Sequence, residues 1–160
     1  MPRIEKVKPD KEALKIPIQI PLCEVNEGEV WYPPDEFVIL AHDIMIRRYG
    51  GWTGFESGME PYHHFVEEAK NAESIHRKAA ILLRNIVSSR IFQDGHHRTA
   101  FEVAKVFLQV NGIEFKEKNE QKIIRFIKDV RKYSIDQIEG WLKNGELPKS
   151  IRNTHEEHSG

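Results

Sequence analysis

The chain has 160 residues, 39% of them apolar and 31% charged, with acids and bases nearly cancelling at a net charge of −1. That size and balance suit one globular domain with a single core and exclude a disordered chain. They also offer no broad basic field that would make nucleic acid the main partner. No apolar run approaches the roughly 18 residues of a membrane span. The N-terminal Met-Pro-Arg-Ile-Glu-Lys lacks the apolar core of a signal peptide, which makes the cytoplasm the default. The single cysteine, Cys23, permits no internal disulfide.

Residues 1–33 read as an N-terminal arm. The first 15 are charged and proline-marked, the composition of a loosely held segment. Ile16-Pro-Ile-Gln-Ile-Pro-Leu22 alternates apolar and polar residues, but its prolines restrict it to an edge strand or extended segment. Gly28-Glu-Val-Trp-Tyr32 is its candidate partner in a short hairpin. At Pro34 the period becomes helical, opening a domain expected over 34–146. Asp35 and Glu36 favour the positive start of a helix, and Val38, Leu40, Ala41, Ile44, Met45 and Tyr49 form its apolar stripe. Gly50-Gly51 ends it. Residues 51–63, rich in glycine and aromatics, predict a loop or short flap in which Trp52, Phe55 and Tyr62 serve as packing residues. One helix is expected over about 64–70, and a stronger one over 73–88 with Ile75, Ala79, Leu82, Leu83, Ile86 and Val87 inward.

The next helix, 97–110, carries Ala100, Phe101, Val103, Ala104, Phe107 and Leu108, and is apolar almost all round, the mark of a central buried helix. Asn111-Gly112 stops it. Helix 119–132 follows, with Ile123, Ile124, Phe126, Ile127 and Val130 inside. Ser134 caps a last helix whose Ile135, Ile138, Trp141 and Leu142 face inward. Residues 147–160 read as a flexible polar tail.

Between the 73–88 and 97–110 helices lies Ser89-Arg-Ile-Phe-Gln-Asp-Gly-His-His-Arg-Thr-Ala100, the densest chemistry in the chain. Asp94 stands where a helix N-cap is expected, and Gly95 is free to take unusual backbone angles. The N–H groups that follow, with Arg98 beside them, make a natural seat for a phosphate. The expected anion-binding set is Gly95, His96, His97, Arg98 and Thr99.

This loop resembles the signature of the Fic/Doc (Fido) family, His-x-Phe-x-Asp/Glu-Gly-Asn-Gly/Lys-Arg, and most closely its death-on-curing branch, where Thr-Ala follows. Here the string is Arg90-Ile-Phe92-Gln-Asp94-Gly95-His96-His97-Arg98-Thr99-Ala100. Tyr49-Gly-Gly51 through Gly54-Phe-Glu-Ser57, Phe107-Leu-Gln-Val-Asn111-Gly112 and Tyr133-Ser-Ile-Asp-Gln-Ile-Glu-Gly-Trp-Leu142 resemble further segments of that branch in the same order, so the likeness covers roughly residues 35–143.

The resemblance implies a mainly α Fic/Doc-type domain around one central buried helix, with a short β flap or hairpin. It implies transfer of AMP or a phosphate from a Mg²⁺-nucleotide, ATP foremost, to a hydroxyl of a target protein. By position Phe92 is the loop's core anchor, Asp94 the metal ligand, Gly95 part of the anion cradle and Arg98 the phosphate arginine. The target protein would align along residues 54–62 by strand addition.

Two positions depart from the family pattern. Arg90 occupies the general-base position, and a guanidinium cannot accept a proton near neutral pH. His96 replaces the asparagine and is the alternative base. Conventional transfer is therefore expected to be weak or absent, with a nucleotide- or protein-binding module as the other reading. The family's inhibitory pattern, Ser/Thr-x-x-x-Glu-Gly/Asn, is approached only by Ser134 to Glu139-Gly140 at the wrong spacing, so no such self-inhibition is expected. An external antitoxin-like partner is the remaining means of restraint. On residue type alone two further groupings are conceivable, a metal cluster of His63-His64 with His96-His97 and Asp94 and a phosphohydrolase-like dyad, His42-Asp43. No His-x-x-x-His spacing supports the first, and the outlying His and Asp of the second are not evident.

Overall fold

A computed structural model of the chain describes residues 3–21, 25–26 and 28–148. Among these residues are six α-helices and one two-stranded antiparallel sheet. The first helix, α1 (Asp35–Tyr49), starts where Pro34 offers its carbonyl to the N–H groups of Phe37 and Val38. It ends at Gly50, whose φ of +80° turns the chain away. Then follow α2 (Glu60–Lys70), α3 (Ile75–Val87), α4 (His96–Val110), α5 (Glu120–Asp129) with a 3₁₀ turn over Val130–Lys132, and α6 (Ile135–Asn144).

The centre is the pair α3 and α4, with α2 and α6 packed on α3 and α1 packed on α4. The expected burial of α4 holds: Ala100, Phe101, Val103, Ala104, Phe107 and Leu108 all lie in the core. Stacked rings join α5 to α6, with Phe126 and Trp141 centroids 3.7 Å apart and nearly parallel. Ser134 caps α6 through a reciprocal capping box with Gln137, as its sequence position predicts.

Four local expectations are corrected. Residues 16–21 and 28–32 form no hairpin, and the sheet pairs β1 (Lys6–Val7) with β2 (Gly51–Trp52) instead. The prolines at 17 and 21 withhold ladder donors, and Trp31 takes the side chain of Asn111 as its partner, its N–H and carbonyl each bonded to it at 2.9 Å. Second, the arm is tied along α1: Arg48 Nε donates to the Ala13 carbonyl at 3.1 Å, its Nη2 to that of Ile16, and Ala13 is buried. Third, α2 begins at Glu60 rather than about 64, because Pro61 falls in its first turn, where a missing N–H costs nothing. Fourth, Leu40, Tyr49 and Ile124 are exposed, since each lies outside the narrower arc by which its helix touches a neighbour. Leu147 packs against the core, while Leu22, Cys23 and residues 149–160 lie outside the described residues.

Candidate anion site at the start of helix α4

The N-cap of α4 is Gly95, not Asp94. Asp94 is otherwise engaged: its Oδ1 accepts the N–H of Gly95 at 2.9 Å and its Oδ2 that of Trp52 at 3.1 Å, fixing the loop to β2. Two glycines make this closure possible. A Cβ on Gly51 would sit 2.5 Å from Asp94 Oδ2, and Gly95, at φ +78°, has Ile46 Cδ1 3.0 Å from where its Cβ would be.

A glycine N-cap brings no side chain to the helix start. Among the described residues no protein acceptor takes the N–H groups of His96, His97 and Arg98, and the first inward amide is Thr99 N–H, 3.1 Å from the Gly95 carbonyl. These residues line a cavity of about 490 Å³ together with Asp94, Gly95, Met45, Tyr49 and Gly50. Arg98 stands at its edge with the guanidinium carbon 3.6 Å from the centroid of the Tyr49 ring, a cation–π contact that holds the charge in place. A fifteen-residue helix dipole, free N–H groups and a positioned guanidinium converge on this cavity.

The imidazoles here are kept neutral. Burial pushes the pKa of His96 down, helped by nearby His42 and opposed by Asp94. His97 is lowered by burial and then by Arg131. His96 Nε2 also accepts the backbone N–H of Phe92 at 3.2 Å, which only an unprotonated nitrogen can do. Phe92 anchors the loop in the core, 1% exposed and stacked between His42 (3.7 Å) and Phe55 (5.5 Å).

His42 is the residue of this site that sequence reasoning placed elsewhere. It is 2% exposed, and its Nε2 donates to the carbonyl of Asp94 at 2.9 Å, orienting the peptide that leads into Gly95. Asp43 is the weaker neighbour, 3.6 Å from His42 Nδ1 and itself exposed. The available signal was a histidine inside an otherwise apolar helical stripe. Among the described residues no group of three or more His, Cys, Asp or Glu side chains is placed to hold a metal ion, so neither His63-His64 nor His42-Asp43 builds a metal centre. His63 instead pairs with Asp35 at 2.8 Å.

The cavity therefore gathers Asp94, Gly95, His96, His97 and Arg98, and leaves out Thr99 of the expected anion-binding set and Arg90 of the general-base position. Arg90 is 79% exposed at its side chain, 3.5 Å from Glu56. Thr99 is fully buried, its Oγ1 without a partner. Nor are residues 54–62 a free strip. The N–H groups of Glu56 and Ser57 donate to Ile91 and Arg90, Gln93 donates to Gly54, and Phe55 bridges to Phe92, while residues 60–62 belong to α2.

No protein-family model matches the chain, and no curated protein does. Among the described residues no helix is long and apolar enough to cross a membrane.

Proposed function

We propose that the chain is a Fic/Doc-like nucleotide-binding protein that seats phosphate groups of a Mg²⁺-nucleotide, ATP foremost, at the start of α4, with transfer of AMP or phosphate to a target hydroxyl weak or lost. The observation that carries this reading is the uncapped N-terminus of α4, opening into a cavity of nucleotide-phosphate size beside Arg98. The N–H groups of His96, His97 and Arg98 would donate to phosphate oxygens, and the guanidinium would add a charge-assisted bond. Asp94 fits a magnesium ion only in part. It is the one carboxylate lining the cavity, and both its oxygens already serve backbone donors. Mg²⁺ needs few protein ligands when phosphates and water complete its shell, so the ion would arrive with the nucleotide and neutralise phosphate charge.

Binding is favoured over transfer by the fate of the proton acceptors. Arg90 lies outside the cavity and cannot take a proton, and the lone pair of His96 Nε2 accepts the Phe92 N–H. Loss of a general base costs about 10²–10⁴-fold in rate. Residual transfer has one supporting observation, a neutral His96 within the cavity.

Calorimetry with Mg-ATP on the natural protein and on Arg98→Ala tests the reading. Saturable binding, weakened about tenfold or more in the variant, supports it; no heat with any nucleotide at millimolar concentration removes its basis. Labelled-nucleotide transfer separates the two chemistries. Label incorporation only after Arg90→His and His96→Asn together indicates a binding site that has lost its base, whereas incorporation by the natural protein that His96→Ala abolishes indicates a displaced base.

A further inference from the structure

A cavity of about 360 Å³ lies between α5, α6 and the residues that follow α6, and shares no lining residue with the anion site. Its floor is aromatic. Phe126 of α5 lies nearly parallel to Trp141 of α6 with centroids 3.7 Å apart, and Tyr133 stacks on Phe126 at 5.7 Å. Phe101 and Phe115 brace Trp141, their centroids 6.2 and 5.7 Å from its ring. Gly145, at φ +76°, turns the chain back after α6. Pro148 then comes so near Gly140 that a Cβ there would lie 2.6 Å from the proline Cγ. Leu147 and Pro148 thereby become part of the wall.

The rim is cationic. Lys122 and Arg125 line the cavity one turn apart on α5, a spacing that makes their side chains neighbours. Both residues are exposed, and among the described residues neither side chain has an ion-pair or hydrogen-bond partner. Lys118 and Lys132, by contrast, pair with Glu114 at 3.8 Å and Asp129 at 3.6 Å. Glu146 is the one acid lining the cavity among the described residues. Over residues 116–132 seven lysines and arginines stand against three acids, in a chain whose net charge is −1. Anions are therefore drawn to this part of the molecule.

We propose that this cavity binds a small organic acid with a flat aromatic body, the body against Phe126, Tyr133 and Trp141 and the carboxylate held by Lys122 and Arg125. The volume falls within the range of small-molecule sites, about 300–1,000 Å³. Phe126 and Trp141 are only 3% and 5% exposed, so they form a floor for one guest rather than a platform for successive bases of a nucleic-acid strand. Aromatic walls favour an aromatic guest in offset or edge-on contact. The guanidinium of Arg125 matches a carboxylate with two parallel donors, and Lys122 adds a point charge. Two cations against one acid make the rim select an anion over a neutral molecule of the same shape. This site stands whether or not nucleotide binds at α4.

The test uses the full chain with cinnamate as probe and cinnamamide as its neutral counterpart. In a nuclear magnetic resonance titration, cinnamate is expected to move the Trp141 indole N–H signal saturably and leave those of Trp31 and Trp52 in place. The acid is expected to bind at least about tenfold more tightly than the amide, a comparison that needs no variant. Lys122→Ala with Arg125→Ala is expected to lose at least about tenfold in affinity for the acid at unchanged melting temperature, since both residues are exposed. No saturable shift at millimolar acid, equal shifts at the three tryptophans, equal affinity for acid and amide, or an unchanged double variant overturns the proposal. A nuclear Overhauser contact between Ile151 and Trp141 in the free protein also overturns it, by making the chain's own C-terminal segment the occupant.

Discussion

Arg98 and His42 divide the work at the loop between charge and shape. The Arg98 guanidinium is parked on Tyr49 rather than spent on a carboxylate, so it keeps its donors for an anion. Arg98→Lys is expected to retain part of the affinity for inorganic phosphate or Mg-ATP that Arg98→Ala loses, because the point charge survives while the planar fork does not; calorimetry at fixed ionic strength reads the difference. His42→Phe preserves the stack on Phe92 but leaves the Asp94 carbonyl without its donor. Stability should fall by about 1–3 kcal/mol in urea melts, and anion affinity should fall with it, since the peptide leading into Gly95 is released. Gly95→Ala places a side chain at φ +78° against Ile46 and is expected to cost about 1–3 kcal/mol. The residue types of this loop were legible in the sequence, and Asp94, Gly95 and Arg98 do come together. Their division of labour was not. A capping aspartate and one that ties two loops by accepting Trp52 N–H look the same until the long-range partner is known, and Trp52 lies 42 positions away.

At the level of elements, helical period located α1, α3, α4, α5 and α6 to within a few residues, because each buries one continuous stripe. The stripe read for α3 took in only apolar positions and left out a charged one that the helix also buries. Lys78 lies on the buried face, and its ammonium donates to the carbonyls of Ala69, Lys70 and Ala72 at 3.1, 3.2 and 2.6 Å, closing the C-terminal end of α2. Periodicity classes a lysine as outward, yet the last carbonyls of a helix are a place where a cation is welcome. Lys78→Met keeps the aliphatic length and abandons three carbonyls. It is expected to destabilise the fold by about 1–3 kcal/mol, with hydrogen exchange at the end of α2 rising first. The expected hairpin failed for the opposite reason. Alternation in residues 16–21 described a segment that could pair, whereas the strand that does pair, Lys6–Val7, is too short and too charged to carry any pattern.

For the molecule as a whole, acid is the informative stress. His76, His96 and His97 are each lowered below the ordinary histidine value, chiefly by burial. The unfolded chain therefore binds more protons than the folded one below about pH 6.5. The stability that these neutral rings contribute is fully present above that pH and is lost as pH falls toward their folded values. Melting temperature is expected to drop between pH 7 and pH 5, and His96→Asn should reduce the slope. Phosphate affinity should move the other way over the same range, because protonation adds positive charge to the cavity. Opposite signs in the two measurements would distinguish local charging of the site from general unfolding.

The loop from Ser88 to Gly95 joins α3 to α4, the two helices that form the centre of the core, and is further held by Phe92, His42, Asp94 and the strip at residues 54–58. Its ends are set by the most rigid part of the protein and its middle is pinned on three sides. A ligand arriving there should meet a preorganised seat and lose little conformational entropy from the protein. Binding should therefore leave the heat capacity of the protein nearly unchanged, with no ordering of the loop to accompany it.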